Sequence, residues 1–275
     1  MEVLHPRCAG LDVHKESVVA CIRIHGPDNT TERVVETFGT TTTELERLAE
    51  FLSKHEVTHV AMEATGSYWK PVWTVLMPEF ELILANAAHV KNVPGRKTDV
   101  NDAMWLADLL AHGLIRGSFV PEADIQDLRA LTRTRKQFTR ELASQVQRID
   151  KVLVTANIKL SSVLSDIMGA SGRAILDALV AGETDPHNLL KLVDRRVRTP
   201  HPQIVEALRG RLNNCQRFLI SQHLQQIDSL SRALAAIDAE VGERLEPFQK
   251  AVENLSTMPG ISEVSAAVII SDDRS

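Results

Sequence analysis

The sequence predicts an α/β unit followed by an all-α unit. Three observations point there. Over the first 120 residues short β-rich runs come first and then alternate with helical patterns. After Pro121 the apolar spacing turns helical almost throughout. Two of those patterns, 125–160 and 204–245, are long enough for coiled-coil-like arms. At 44% hydrophobic and 24% charged, the 275 residues sit near globular averages, which excludes global disorder. No run approaches the ~20 apolar residues of a membrane span. The opening residues lack the apolar core of a secretory leader, and Cys8, Cys21 and Cys215 form neither a disulfide framework nor a Cys-x-x-Cys zinc pair. A cytoplasmic protein with reduced thiols is expected.

The elements follow in order. Residues 8–13 and 17–24 flank His14-Lys15-Glu16 as a hairpin, and 33–38 is a third alternating run. Residues 42–54 carry Leu45, Leu48, Ala49 and Leu52 at helical spacing, with Thr42 or Thr43 as cap. Runs 57–62 and 80–85 are further strands around a helix at 68–76. Residues 101–112 close the unit with Met104, Leu106, Ala107, Leu110 and Ala111 on one face. A mixed sheet covered by helices results.

Beyond Pro121, residues 125–160 place Leu128, Leu131, Phe138, Leu142, Ile149 and Val152 on one stripe. The 204–245 pattern runs from Leu208, Leu212, Cys215 and Leu219 to Ile237, Val241 and Leu245. Breaks fall at Thr184-Asp-Pro-His and Arg198-Thr-Pro-His-Pro. A Pro259-Gly260 turn between two short apolar stretches resembles a helix-hairpin-helix, with Ser262 where a second glycine is usual. Three parts are expected: 1–120, 121–250 and 251–275.

Four acids stand out because strands or a helix start deliver them. Asp12 ends the first strand, Glu63 follows Val60-Ala61-Met62, and Asp99 and Asp102 lie three apart at a helix start, on one face. Carboxylates converging in this way can hold a pair of hard divalent ions, Mg²⁺ or Mn²⁺, about 4 Å apart, that clamp a phosphoryl transfer. Asp99 and Asp102 have a plainer reading as a helix cap and its dipole partner. The order of acids is that of RNase H-like nucleases and resolvases. Lys91, Arg96 and Lys97 sit on the basic turn before the acid pair, where cations can hold a phosphate backbone.

The whole chain is net −5, yet residues 121–160 carry 8 basic and 5 acidic side chains. Arg129, Arg133, Lys136 and Arg140 share one helix side there, as a nucleic-acid contact or a solvated face. Tyr68, the one tyrosine, lacks the Arg/His surroundings of a tyrosine recombinase, and Trp69 and Trp73 read as core rather than as base-stacking platforms.

With these motifs the sequence resembles the IS110-family transposases, and within them the IS1111-like branch. The matching runs are Gly-Leu-Asp-Val-His-Lys at 10–15, Met-Glu-Ala-Thr-Gly-Ser-Tyr-Trp at 62–69 and the stretch from His89 to Gly113. Leu128-Arg-Ala-Leu-Thr-Arg-Thr-Arg and the stretch from Leu255 to Ala267 match as well. The resemblance implies a RuvC-like domain whose DEDD metal tetrad is Asp12, Glu63, Asp99 and Asp102, then a coiled-coil region and a second domain beginning near Pro259-Gly260. It implies DNA cleavage and strand exchange, element ends and target DNA as partners, a structured guide RNA on the basic helix, and assembly as dimers or tetramers. It places the nucleophilic serine downstream of the Pro-Gly turn. Ser262, Ser265 and Ser271 fall too early for that role, so a C-terminal truncation without strand exchange is expected. A hydrolytic RuvC-like nuclease or junction resolvase, and a non-catalytic nucleic-acid-binding fragment, are the alternatives.

Overall fold

The computed structural model describes residues 2–64, 66–92 and 101–272, with the side chains of Lys91, Asn92 and Asp272 left aside. It has two compact units, Met1–Val120 and Pro121–Ser275. In the first, β1 (Arg7–Val13), β2 (Ser17–His25) and β3 (Thr31–Gly39) form an antiparallel meander. After α1 (Thr42–Lys54), β4 (His59–Glu63) returns parallel to β1 on its other side. Then α2 (Trp69–Leu76) leads to β5 (Glu81–Ala85), parallel to β4. The order β3-β2-β1-β4-β5 is RNase H-like, as the order of acids anticipates.

Strand alternation sends Leu11, Ile22, Val60, Met62 and Leu84 to one face, where they meet Leu45, Leu48 and Leu52 of α1 and Val72 and Leu76 of α2. Full burial of each such side chain contributes about 1.5–3 kcal/mol. Trp69 and Trp73 pack edge-to-face at 5.7 Å against this cluster, as core residues. The opposite face is covered by α4 (Asp102–Ala111), preceded by the short α3 (Ala87–Asn92).

Several boundaries differ from the sequence expectation. Thr41, not Thr42 or Thr43, is the α1 cap residue; its side chain makes no capping bond, and its carbonyl accepts from Leu45 N. Residues 87–92 are helical rather than a turn because the Asn86 side chain accepts from the amides of Ala88 and His89.

The second unit is helical: α5 (Ala123–Thr155), α6 (Leu160–Val163), α7 (Ala170–Ala181), α8 (Pro186–Leu190), α9 (His201–Ala207), α10 (Asn214–Leu245), α11 (Gln249–Ser256) and α12 (Glu263–Asp272). The long helices α5 and α10 pair antiparallel: Asp127 meets Arg244, Arg135 meets Asp238, and Gln145 meets His223. One core lies around Ile149, Leu153, Ile175, Leu176 and Ile204, and another around Leu128, Val241, Leu245, Ala266 and Ala267.

The 125–160 pattern is two helices, because Asn157 takes a left-handed φ of 57° that ends α5. The 204–245 pattern is likewise broken. Gly210 packs its bare Cα against the Ala156 carbonyl, and a capping box of Asn213 and Gln216 starts a new helix. Cys215 and Leu219 of the expected apolar stripe are consequently exposed.

Candidate active site

The strand register brings two of the four acids together. In the parallel β1–β4 pair, Leu11 is opposite Met62, so Asp12 and Glu63 are the next positions along adjacent strands. Leu11 and Met62 belong to the core under α1 and α2, so Asp12 and Glu63 point to the other face, that of α4. On that face Cys8 packs near Leu110 and Ala111, while Gly10 lies against Ala103 and Ala107. The helix therefore runs antiparallel to β1, and its N-terminal end approaches the strand end that carries Asp12.

Gly10 is required there. A Cβ would meet the Ala103 carbonyl, the Ala107 amide at 2.5 Å and Leu106 Cβ at 2.8 Å. The Asp12 carboxylate is 21% accessible and lies 3.2 Å from His14 Nε2. By sequence His14 belongs to the hairpin turn and to the 10–15 run. Its separation of two from Asp12 on an extended chain was the signal for a shared side. Glu63 is half-buried at the end of β4.

Asp102 is the first residue of α4 and half-buried. Its neighbour Asn101 caps the helix, its side chain accepting from Ala103 N at 2.9 Å. The described helix begins at 102, and the capping role considered for Asp99 belongs to Asn101. Asp99, Arg96 and Lys97 lie outside the described residues. Lys91 is within α3 by its backbone. Below Gly10, burial pushes the Cys8 thiol up to about 12 and the Cys21 thiol up to about 11, so both stay neutral.

The chain matches the family model of the IS110-type DEDD transposases, described as a transposase, over residues 9–158, more than half its length. It belongs to that family. No curated protein matches it. Membership in the IS110 transposases implies DNA transposition, hence a DNA-processing and DNA-binding protein, and such transposases generally use divalent metals. The donor chemistry fits: Asp12, Glu63 and Asp102 offer hard oxygens, two of them from adjacent strand ends on one face. Among the described residues no group of three or more His, Cys, Asp or Glu is drawn together closely enough to hold an ion. No described helix is long and apolar enough to cross a membrane.

The four cations singled out on α5, Arg129, Arg133, Lys136 and Arg140, separate into two kinds. Arg129 is half-buried and donates through Nε to the Ser271 carbonyl at 2.7 Å, which ties α5 to α12. Arg133, Lys136 and Arg140 are exposed. Arg135, between them in sequence, faces α10 and pairs with Asp238, so it belongs to the helix pair. Tyr68 is 44% exposed, just before α2.

Proposed function

We propose that this transposase is the cytoplasmic recombinase of an IS1111-like insertion sequence, binding divalent ions through Asp12, Glu63, Asp99 and Asp102. The observation that carries the reading is the placement of Asp12 and Glu63 side by side on the face covered by the helix that begins with Asp102. Asp12 and Glu63 would ligate from the strand ends, with His14 steadying the Asp12 carboxylate. Asp102 would approach from the N-terminal end of α4. Bound Mg²⁺ or Mn²⁺ would neutralise these acids and polarise the phosphate to be cut.

The exposed cations Arg133, Lys136 and Arg140, with Lys91, Arg96 and Lys97 by sequence, would hold phosphates of DNA and of an element-encoded guide RNA. The proposed organisation is a catalytic part at 1–120, a helical part at 121–250 and a further part at 251–275, working as a homo-oligomer. The attacking serine is not assigned to the serines near the Pro-Gly turn. Ser262 and Ser265 hydroxyls bond each other at 3.1 Å, and the buried Ser271 hydroxyl bonds the Val268 carbonyl.

The test is a recombination assay with donor, target, guide RNA and Mg²⁺. Recombination should require Mg²⁺, and Asp12→Asn should abolish it while RNA and DNA binding persist. Recombination by the Asp12→Asn variant would refute the metal assignment. A metal-dependent nick with no covalent protein–DNA link would mark a hydrolytic nuclease instead.

A further inference from the structure

Asp108, on the second turn of α4, is held by two arginines from two strands. Arg23 of β2 donates through Nε to Oδ1 at 3.0 Å, and Arg33 of β3 donates through Nη2 to both carboxylate oxygens at 2.9 and 3.0 Å. Arg23 is only 5% exposed, and its Nη2 reaches Thr31 Oγ1 at 3.4 Å. On a helix turning 100° per residue, Asp108 faces the β2–β3 side. Asp102 shares the opposite flank with Leu106 and Leu109, which pack near Ala85 of β5.

The surface between these flanks is built mostly from small side chains. Cys8, Gly10, Cys21 and Ala61 on the sheet meet Ala103, Ala107 and Ala111 on the helix, with Leu110 beside Cys8 and Ala61. Small side chains permit close approach but raise few ridges to interlock, so they resist sliding along the helix axis poorly. Two further directed contacts of α4 lead away from the sheet. Trp105 Nε1 donates to the Val90 carbonyl in α3, and the Leu4 amide donates to the Ala111 carbonyl from the N-terminal segment. Cys8 Sγ, at 3.5 Å from the Ala107 carbonyl, is a weak donor.

We infer that Asp108, gripped by Arg23 and Arg33, is a positioning residue that fixes α4 along the sheet and so sets where Asp102 stands relative to Asp12 and Glu63. The inference rests on reading those acids as metal ligands. A slip of one residue moves the helix by about 1.5 Å, against a tolerance of about 0.2 Å in a metal–ligand distance. Loss of the clamp therefore shows in metal affinity before it shows in secondary structure.

The experiment measures Mn²⁺ binding by calorimetry on the full chain. Asp108→Asn keeps the side-chain shape and removes the charge. It should weaken Mn²⁺ binding about 10–100-fold, as removal of outer-shell partners does, with the far-UV circular dichroism unchanged. Asp108→Glu should recover part of the affinity. Leu48→Ala, a cavity in the core on the other sheet face, should lower the melting temperature and leave Mn²⁺ affinity intact. Should Asp108→Asn fail to fold, Arg33→Gln removes only the half-exposed arm and should give a smaller loss. Wild-type affinity in whichever of these two variants folds, or an equal loss in Leu48→Ala, overturns the clamp. A wild-type chain that binds no Mn²⁺, or binds it equally after Asp12→Asn, overturns the metal reading itself. Binding that responds to Asp12→Asn but not to Asp108→Asn overturns the clamp alone.

Discussion

Replacing Gly10 with alanine places a methyl group between β1 and α4, where the atoms it meets are largely backbone. The new Cβ would lie 2.5 Å from the Ala107 amide nitrogen and 2.8 Å from Leu106 Cβ, whereas ordinary contact is about 3.5–4.0 Å. The helix must retreat by about 1 Å, because backbone cannot rotate aside as a flexible side chain can. Overpacking of this kind costs about 1–3 kcal/mol, and a backbone clash belongs at the upper end, about 2–3 kcal/mol. For a unit of this size that lowers the melting temperature by about 8–12 °C. Trp69, Trp73 and Trp105 are the chain's three tryptophans and all lie in the first unit, so their fluorescence reports its unfolding separately from the helical unit. The same retreat moves Asp102 away from Asp12, so Mn²⁺ binding should weaken in parallel. A Gly10→Ala chain whose tryptophan-monitored melt is unchanged would refute the close packing of α4 on β1 and the placement of Asp102 that depends on it.

Other expectations follow from single contacts. Asn101→Ala removes the α4 cap and should cost about 0.5–2 kcal/mol in a tryptophan-monitored denaturant titration. Reversing Lys136 and Arg140 to Glu should weaken RNA binding and flatten its log–log salt dependence by about 0.7 per lost phosphate contact, with stability within about 0.5 kcal/mol; an unchanged slope would make this a solvated face. Arg129→Ala should instead loosen α12, seen as faster amide exchange in 263–272, because its guanidinium holds the Ser271 carbonyl. Burial, and then the nearby Arg148, hold the His223 pKa below its ordinary value, so the unfolded chain binds the proton more readily. The helical unit should accordingly lose stability as pH falls below about 6.5, the unfolded value, and His223→Gln should reduce that slope in melts followed by circular dichroism.

What the sequence made legible were features with local causes. The β1–β2 hairpin, the α1 stripe and the change of character at Pro121 rest on spacing of neighbours, and the structure places them within a residue or two. Asp12 and Glu63 were visible because each ends an apolar run, and their shared face follows from strand pairing that the sequence order of the strands suggests. The misjudged ends have non-local causes. Apolar spacing continues through Leu160, but Asn157 turns left-handed where Gly210, distant in sequence, packs on Ala156. The Arg129 stripe was legible as charge, whereas its bond to Ser271, 142 residues away, was not. Nothing near Asp108 in sequence marks its role, because Arg23 and Arg33 lie 85 and 75 residues from it.

Anomalous diffraction from Mn²⁺-soaked crystals decides whether the acids at the ends of β1 and β4 hold divalent ions. A manganese peak is expected with carboxylate oxygens of Asp12 and Glu63 at about 2.0–2.5 Å, the range for hard divalent ions on oxygen, and that peak should be lost in Asp12→Asn. A well-occupied manganese peak elsewhere, with none beside Asp12 and Glu63, would contradict that assignment.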